Sequence, residues 1–422
     1  MKFTIKRATD TPLVAVVGGG AAGMMAAIAA AEYGAQVVLF EKNDRFGKKL
    51  RITGKGRCNL TNDCELGEFL ANVPTNPRFL YAALSGFTTA DTKSFFEELG
   101  VSLKTERGKR VFPVSDRAGD IVAAMEKKCR DAGVTMLHSR VKGLLTEEGT
   151  IVGVDTEEGD LKADAVILCT GGKSYPTTGS TGDGYRFAQS VGHTVTPLSP
   201  SLIPLVSKGG FCASMQGLSL KNVALRLVDT RDGKAVFSDF GELLFTHFGL
   251  SGPMALSASA HLRNAEAGGY EVQIDLKPAL DEKKLDARLL SDFNKYQNRD
   301  FANSLSDLLP QKMIEPFVRL CEIDPRKKVH SITREERERM VSTLKCLKIP
   351  ISGVRPIEEA IITRGGVCVK EVSPKTMESK LVRGLYFAGE LLDVDAYTGG
   401  FNLQIAFSTA VAAGHAAASG TV

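Results

Sequence analysis

Residues 13–41, "LVAVVGGGAAGMMAAIAAAEYGAQVVLFE", decide the fold. The run "LVAVV" is apolar without polar alternation, and "QVVLFE" at 36–41 repeats that texture. Between them "AAGMMAAIAAAEYG" is a run of helix formers stopped at Gly34. The spacing predicts strand, helix and strand in about 30 residues. Strands without alternation suit a parallel sheet covered on both faces. Gly18, Gly20 and Gly23 stand in G-x-G-x-x-G register between the first strand and the helix. The first glycine permits the tight turn, the second lets a pyrophosphate approach the backbone, and the third lets helix and strand pack closely. Free N–H groups at the helix start would meet the phosphate charge. Glu41 ends the second strand 23 residues after Gly18, where a carboxylate accepts hydrogen bonds from the adenosine ribose. That acid disfavours a 2'-phosphate, so the unit reads as a site for FAD or NAD rather than NADP. "SKGGF" and "FGLSGP" lack flanking strand and helix; with no second fingerprint, one long cofactor spanning the domain is expected.

A chain of 422 residues exceeds one ordinary core, and two or more domains are expected. Lys plus Arg number 53 against 49 Asp plus Glu, a net charge of +4, which argues against a general nucleic-acid or membrane surface. Lys2, Lys6, Arg7 and Asp10 precede an apolar run too short for a signal peptide. The alanine tract 21–31 is short of a bilayer span and ends at Glu32. A cytoplasmic protein without membrane contact is expected. Eight scattered cysteines make no C-x-x-C pair, and six histidines no H-x3-H pair; neither a disulfide framework nor a zinc site is expected.

Further along, "DTKSFFEELG" reads as a helix with an Asp cap and a Gly stop, and "SDRAGDIVAAMEKKCRDAG" as a second capped helix. "GKRVFP" is read as a hairpin arm. "VTMLHSRVKGLL", "IVGVDTEE" and "LKADAVILCTGG" are strand-like, the last ending in a glycine pair. From Thr196 the texture changes: "TPLSPSLIPLVS" is proline-rich, and "LKNVALRLVDTRDGKAVF" alternates about a D-G turn, as antiparallel strands do. Residues 281–345 look helical; buried-strand texture returns at "RPIEEAIITRGGV" and "GLYFAGELLD", and "NLQIAFSTAVAAGHAAA" is a final small-residue helix. The expected organisation is a discontinuous first domain, 1–194 and 355–422, a β-rich insert at 195–280 and a helical insert at 281–354.

"GGGAAG", "GKKLRITGKGRCNLTN", "CTGGKSYPTTGSTGDGY", "LFTHFGLSGP" and "AGELLDVDAYTGGFNLQIAFSTA" together resemble, nearly end to end, the HI0933-like or YhiN-like flavoproteins, which include aminoacetone oxidase and BaiN-type bile-acid reductases. The resemblance implies an α/β fold, a glutathione-reductase-like FAD-binding Rossmann domain with a β-rich insert and a small helical insert. It implies FAD as cofactor, with Gly18, Gly20, Ala22 and Gly23 at the pyrophosphate and Glu41 at the ribose. Lys42 would lie near adenine, Lys49 near the phosphates, and Val141 would touch adenine through its backbone. Gly54, Gly56, Arg57, Cys58 and Asn59 would run along the cofactor toward the flavin. Thr170, Gly171 and Gly172 match the second flavin loop. Gly389 and Glu390 stand where many relatives have Gly-Asp facing the ribityl chain and pyrophosphate, and Asp393 is a further candidate. Gly400, Phe401, Asn402 and Leu403 begin the last helix, whose positive end would face the flavin pyrimidine and stabilise the reduced ring. Two departures are small: "GKG" at 54–56 often reads "GGG" in relatives, and Phe401 is often tyrosine.

The function implied is an FAD-dependent oxidoreductase with a small-molecule substrate, exchanging hydride at flavin N5 and favouring reduction of an activated C=C. Oxidation of a small amine, and a flavin-containing binding or regulatory role, are the alternatives. External NAD(P)H or oxygen would be the redox partner. Arg57 is a catalytic candidate because a guanidinium fixes a carboxylate or flavin polar atoms; bracing the loop is its other reading. His247 is a candidate acid–base group, or a structural histidine. Cys58, with no cysteine two to four residues away, reads as packing rather than redox. Tyr175 and Tyr397 are expected to reach the flavin region, and "GSTGDG" at 179–184 reads as a turn. The basic stretch 48–62 is not a Walker A loop, since Gly56 follows Lys55 and position 49 is lysine. Its five charges lack an aromatic platform, so no nucleic-acid partner is expected.

Overall fold

Strand Leu13–Val17, helix Ala21–Glu32 and strand Gln36–Glu41 form at the start of the chain as the pattern predicts. In the computed structural model residues 11–263 and 268–419 are described; Lys2, Lys6, Arg7 and Asp10 lie outside them. The strands join a five-stranded sheet in the order 385–387, 165–168, 13–17, 36–41, 135–138, with every pairing parallel. Four of them are buried along nearly their whole length, which is why they carry no polar alternation, while the edge strand Thr135–His138 is partly exposed. The first helix is buried on nearly every side, and the last, Phe401–Ser419, packs on it through small residues. At Gly414 an added Cβ would lie 2.6 Å from the Ala26 carbonyl oxygen, so the two backbones touch where only glycine fits.

The chain divides into two units, residues up to Ser201 with those from Ile357 onward, and Leu202–Pro356. The first boundary falls beyond residue 194 because Ser199–Ser201 pairs antiparallel with Ile362–Arg364 inside the first unit. That unit also holds the meander 141–147, 150–156, 159–162 and a small sheet in which Thr61–Asn62 and Leu103–Glu106 flank Arg110–Pro113.

The second unit is a closed barrel of six strands in the order 205–207, 249–251, 234–245, 219–229, 270–275, 347–354, all antiparallel. Helices Glu282–Lys295, Gln311–Cys321 and Arg334–Lys345 share its core. The β-rich and helical segments are therefore one body. Leu347–Val354, counted above with the helical insert, is the strand that closes the barrel: Leu347, Ile349 and Ile351 face inward and alternate with exposed Lys348 and Pro350.

Two cap expectations are corrected. Helix Thr89–Glu98 is capped by Thr88, with Asp91 as the reciprocal partner of a capping box rather than the cap. Helix Ala118–Asp131 has Arg117 at the cap position and no side-chain cap, because Asp116 is engaged elsewhere, by Arg57 and Lys104.

Candidate functional site

The glycine loop and the start of the first helix form an open cradle. Gly20 precedes the helix with no side-chain cap and no acid in the first turn, so the first-turn N–H groups are left for an anion. A Cβ at Gly20 would meet nothing within 4 Å. Its neighbours are tight: at Gly23 a Cβ would fall 1.7 Å from the Gly18 carbonyl oxygen, and at Gly18, with φ +105°, 2.6 Å from that of Cys169. One glycine opens space while two close-pack helix, loop and strand, the division of labour a bound pyrophosphate needs. Ala22 lies behind the cradle, where a Cβ on Gly389 would stand 2.9 Å from its methyl.

Glu41 is 8% exposed. Its Oε2 accepts from the Gly19 N–H at 2.9 Å, and its Oε1 from the Asn43 N–H at 2.8 Å and the Asn43 amide at 2.6 Å. A carboxylate offers about four acceptor directions, so capacity remains on Oε2 for a hydroxyl. Lys42 is held by Asp183 at 2.7 Å and Thr181 at 2.5 Å. Val141 begins the meander, buried and paired with Thr156. The remaining acceptor direction on Glu41 fits a ribose hydroxyl, and the Thr170 hydroxyl beside the cradle is buried without a partner.

Lys49, on the basic stretch, reaches Glu390 at 2.6 Å and the Ser174 hydroxyl at 2.7 Å. The other Glu390 oxygen accepts from the Thr363 N–H at 2.9 Å and from Ser174 at 3.0 Å. The Thr363 hydroxyl accepts from the N–H groups of Lys173 and Ser174 at 2.8 and 3.2 Å. Gly172 makes room for this network: a Cβ there would lie 2.4 Å from Thr363 Oγ1 and 2.8 Å from Glu390 Oε1. Gly171 turns at φ +71° beside Ser180. Ser174 and Thr363 were absent from the sequence-based candidates; "ITRGG", with Thr363 just before Arg364 and a glycine pair, was the available signal.

Gly54, Lys55 and Gly56 all have positive φ, a sharp reversal that returns the chain to Arg57–Asn59. With its amide oriented to satisfy its neighbours, Asn59 accepts from the Gly400 N–H at 3.0 Å and donates to the Val111 and Thr61 carbonyls at 3.2 Å. Asn62 donates to the Gly399 carbonyl at 3.0 Å. Asn402 accepts from the Ala396 N–H at 3.0 Å and donates to the Ala396 carbonyl at 2.8 Å. The basic stretch thus meets the start of the last helix, where Phe401 and Leu403 also lie.

Arg57 is engaged rather than free. Its Nε donates to Asp116 at 2.8 Å, its terminal nitrogens meet Glu106, and its guanidinium lies 4.1 Å from the Phe112 ring centre. Glu106 and then Asp116 raise the arginine pKa further, so it is a fixed cation. Cys58 is fully buried, and burial pushes its thiol up to about 12, which leaves no thiolate for redox work at neutral pH. Burial also raises the Asp393 carboxyl, and the Asp393 carbonyl accepts from Asn76 at 2.7 Å. Nearby Asp395 is 0% exposed; one oxygen accepts from Ser201 at 2.8 Å and the other has no partner. Tyr175 adopts φ +52° at the start of a short helical turn, and the Tyr397 N–H donates to Asn72. His247 belongs to the second unit, exposed in the turn between strands 234–245 and 249–251 and edge-on to Phe248. Among the described residues no cluster of His, Cys, Asp or Glu could hold a metal ion, and no helix is long and apolar enough to cross a membrane.

The family described as HI0933-like protein Rossmann domain matches residues 12–416. The chain is 33% identical over 417 residues to the 3-dehydro-bile acid delta(4,6)-reductase of Clostridium scindens, covering 96% of this chain and 98% of that protein. It is 32% identical to the ribosomal RNA dihydrouridine synthase of Escherichia coli, over 94% of this chain and 95% of that one. Among solved structures, the 3-ketosteroid-delta4-(5alpha)-dehydrogenase of Rhodococcus jostii RHA1 superimposes with a TM-score of 0.55 at 15% identity, covering 99% of this chain and 98% of that one. That likeness is one of fold.

Proposed function

Because the chain belongs to the HI0933-like family, an FAD-dependent oxidoreductase family, we propose that it reduces a carbon–carbon double bond conjugated to a carbonyl in a small organic substrate. The observation that carries this reading is the near full-length similarity to a 3-dehydro-bile acid delta(4,6)-reductase. Bound FAD supplies the two-electron transfer through flavin N5. The protein's part is to hold cofactor and substrate, and to give a proton to the carbon next to the carbonyl.

Gly20 and the first-turn N–H groups of the first helix take the pyrophosphate, and Lys49 with Glu390 takes its flavin-side neighbour. Arg57, fixed between two carboxylates, braces the 53–58 turn rather than moving a proton. NAD(P)H is the proposed external reductant.

A second reading, reduction of uridine in ribosomal RNA, is favoured by the similarity to the E. coli synthase. It is the same chemistry, since the uracil double bond is also conjugated to a carbonyl, and it runs against the expectation of no nucleic-acid partner. The test begins anaerobically: FAD-loaded protein, expected to be yellow, is reduced and mixed with an enone, a uridine-rich rRNA fragment, or oxygen. Rapid reoxidation by the enone supports the leading reading and by the RNA the second. A protein that takes up no FAD, or whose flavin is reduced by an amine and reoxidised only by oxygen, sinks both.

A further inference from the structure

Gln404 lies in the first turns of the last helix and is 0% exposed. Its side-chain oxygen accepts from the Thr61 hydroxyl at 2.6 Å. Its amide nitrogen donates to the Phe87 and Thr88 carbonyls at 3.2 and 3.1 Å and reaches the Ser408 hydroxyl at 3.0 Å; Ser408 itself donates to Phe87 at 2.7 Å. One buried amide therefore joins three segments remote in sequence: the end of the basic stretch, the turn at Phe87–Thr88, and the last helix. The network also settles which end of the amide is oxygen, because only the nitrogen can face two carbonyls.

An amide is costly to bury unless every group finds a partner, and the ten residues that follow it in the helix, "IAFSTAVAAG" at 405–414, are apolar or small. A leucine or methionine would fill the volume without that cost, so the glutamine serves direction rather than cohesion. What it directs is the helix start. The Gln404 N–H donates to the Gly400 carbonyl at 3.2 Å, closing the first turn. Gly400 presses against the basic stretch so closely that a Cβ would lie 2.2 Å from the Thr61 carbonyl oxygen. The Gly400 N–H is taken by Asn59, while Phe401, Asn402 and Leu403 keep first-turn N–H groups that have no partner within the helix.

We propose that Gln404 is a positioning residue for the flavin: by pinning Thr61 and the 87–88 turn to the last helix, it fixes the direction of the first-turn N–H groups at the flavin pyrimidine and so sets how tightly the reduced cofactor is held. The inference rests on the FAD-dependent reading above. Positive helix ends stabilise negative charge over short distances only, so a helix start free to tilt would favour reduced flavin less.

The experiment measures FAD dissociation by fluorescence and the flavin midpoint potential by dye equilibration, in FAD-loaded wild type, Gln404→Met, Thr61→Val and Phe96→Leu. Met keeps the volume and loses the hydrogen bonds; Val removes only the hydroxyl that Gln404 accepts. Phe96 packs on Phe407 from the apolar side of the same helix and controls for loss of stability alone. Gln404→Met and Thr61→Val should each weaken reduced FAD about tenfold relative to oxidised FAD, a midpoint about 30 mV more negative, with Phe96→Leu unchanged. If Gln404→Met does not fold, Thr61→Val decides. Wild-type potentials in the variants, or the same shift in Phe96→Leu, overturn the inference alone. A wild-type chain that takes up no FAD overturns the parent reading and this inference with it.

Discussion

Gly20→Ala separates the cofactor from the fold. The added methyl has no atom within 4 Å, and φ −83° at that position suits alanine. Stability without FAD should therefore move by less than about 0.5 kcal/mol. If the open space is where the pyrophosphate meets the backbone, the methyl crowds it only in the complex. Overpacking of that kind costs about 1–3 kcal/mol, a five- to 150-fold weaker FAD affinity on the order of that energy. Gly23→Ala is the contrast: its methyl would sit 1.7 Å from the Gly18 oxygen, so helix or strand must shift and stability falls with or without FAD. Urea unfolding of the FAD-free proteins and fluorescence titration with FAD read the two effects apart. Wild-type FAD affinity in Gly20→Ala, or instability matching Gly23→Ala, would refute the placement of the pyrophosphate.

In the folded protein at pH 8, a thiol alkylator should label Cys346 and Cys368, both half-buried, while Cys58 and Cys129, fully buried with thiols raised to about 12, stay unlabelled; peptide mapping checks this. Burial holds His193 and His415 below the usual 6.5, so the unfolded chain takes up protons that the fold does not. Stability is then full above about pH 6.5 and falls as pH drops below it. His193→Gln should flatten the fall in Tm between about pH 6.5 and 5, and an unchanged slope counts against it. Lys49→Met strips Glu390 of its cation and should cost about 1.5–3 kcal/mol of stability, with Lys49→Arg recovering part; denaturant midpoints for the three proteins test this.

The first thirty described residues were legible because a buried parallel strand, a glycine turn and a small-residue helix each leave a local pattern. Leu347–Val354 leaves one too, in its alternation, but it follows a helical stretch and pairs with strands 205–207 and 270–275, so barrel closure is invisible to a local reading. Caps failed for a related reason: Asp116 could cap the helix that follows, and instead serves Arg57 and Lys104 across the small sheet. In the site, glycines and Glu41 announce themselves by register with strand and helix. The partnership of Lys49 with Glu390 spans 341 positions, and that of Gln404 with Thr61 spans 343. Side-chain type hints at such pairs, and only the folded backbone chooses among them.

The order in which the chain is made gives the inserted unit a further meaning. The second unit has all its strands once Val354 is made, whereas the parallel sheet still lacks strand Leu385–Phe387 and the first helix still lacks its partner, Phe401–Ser419. At about 5–20 residues per second, the stretch between Ser201 and Leu385 keeps the nucleotide-binding half waiting for roughly 10–40 s during translation. Nascent chains stalled near residue 400, with strand Leu347–Val354 clear of the ribosome and Leu385–Phe387 still inside it, should hold a protease-resistant 202–356 core while 11–201 is still cut. An alanine-rich first helix, with little bulk to aggregate, suits a segment that must wait that long for its cover.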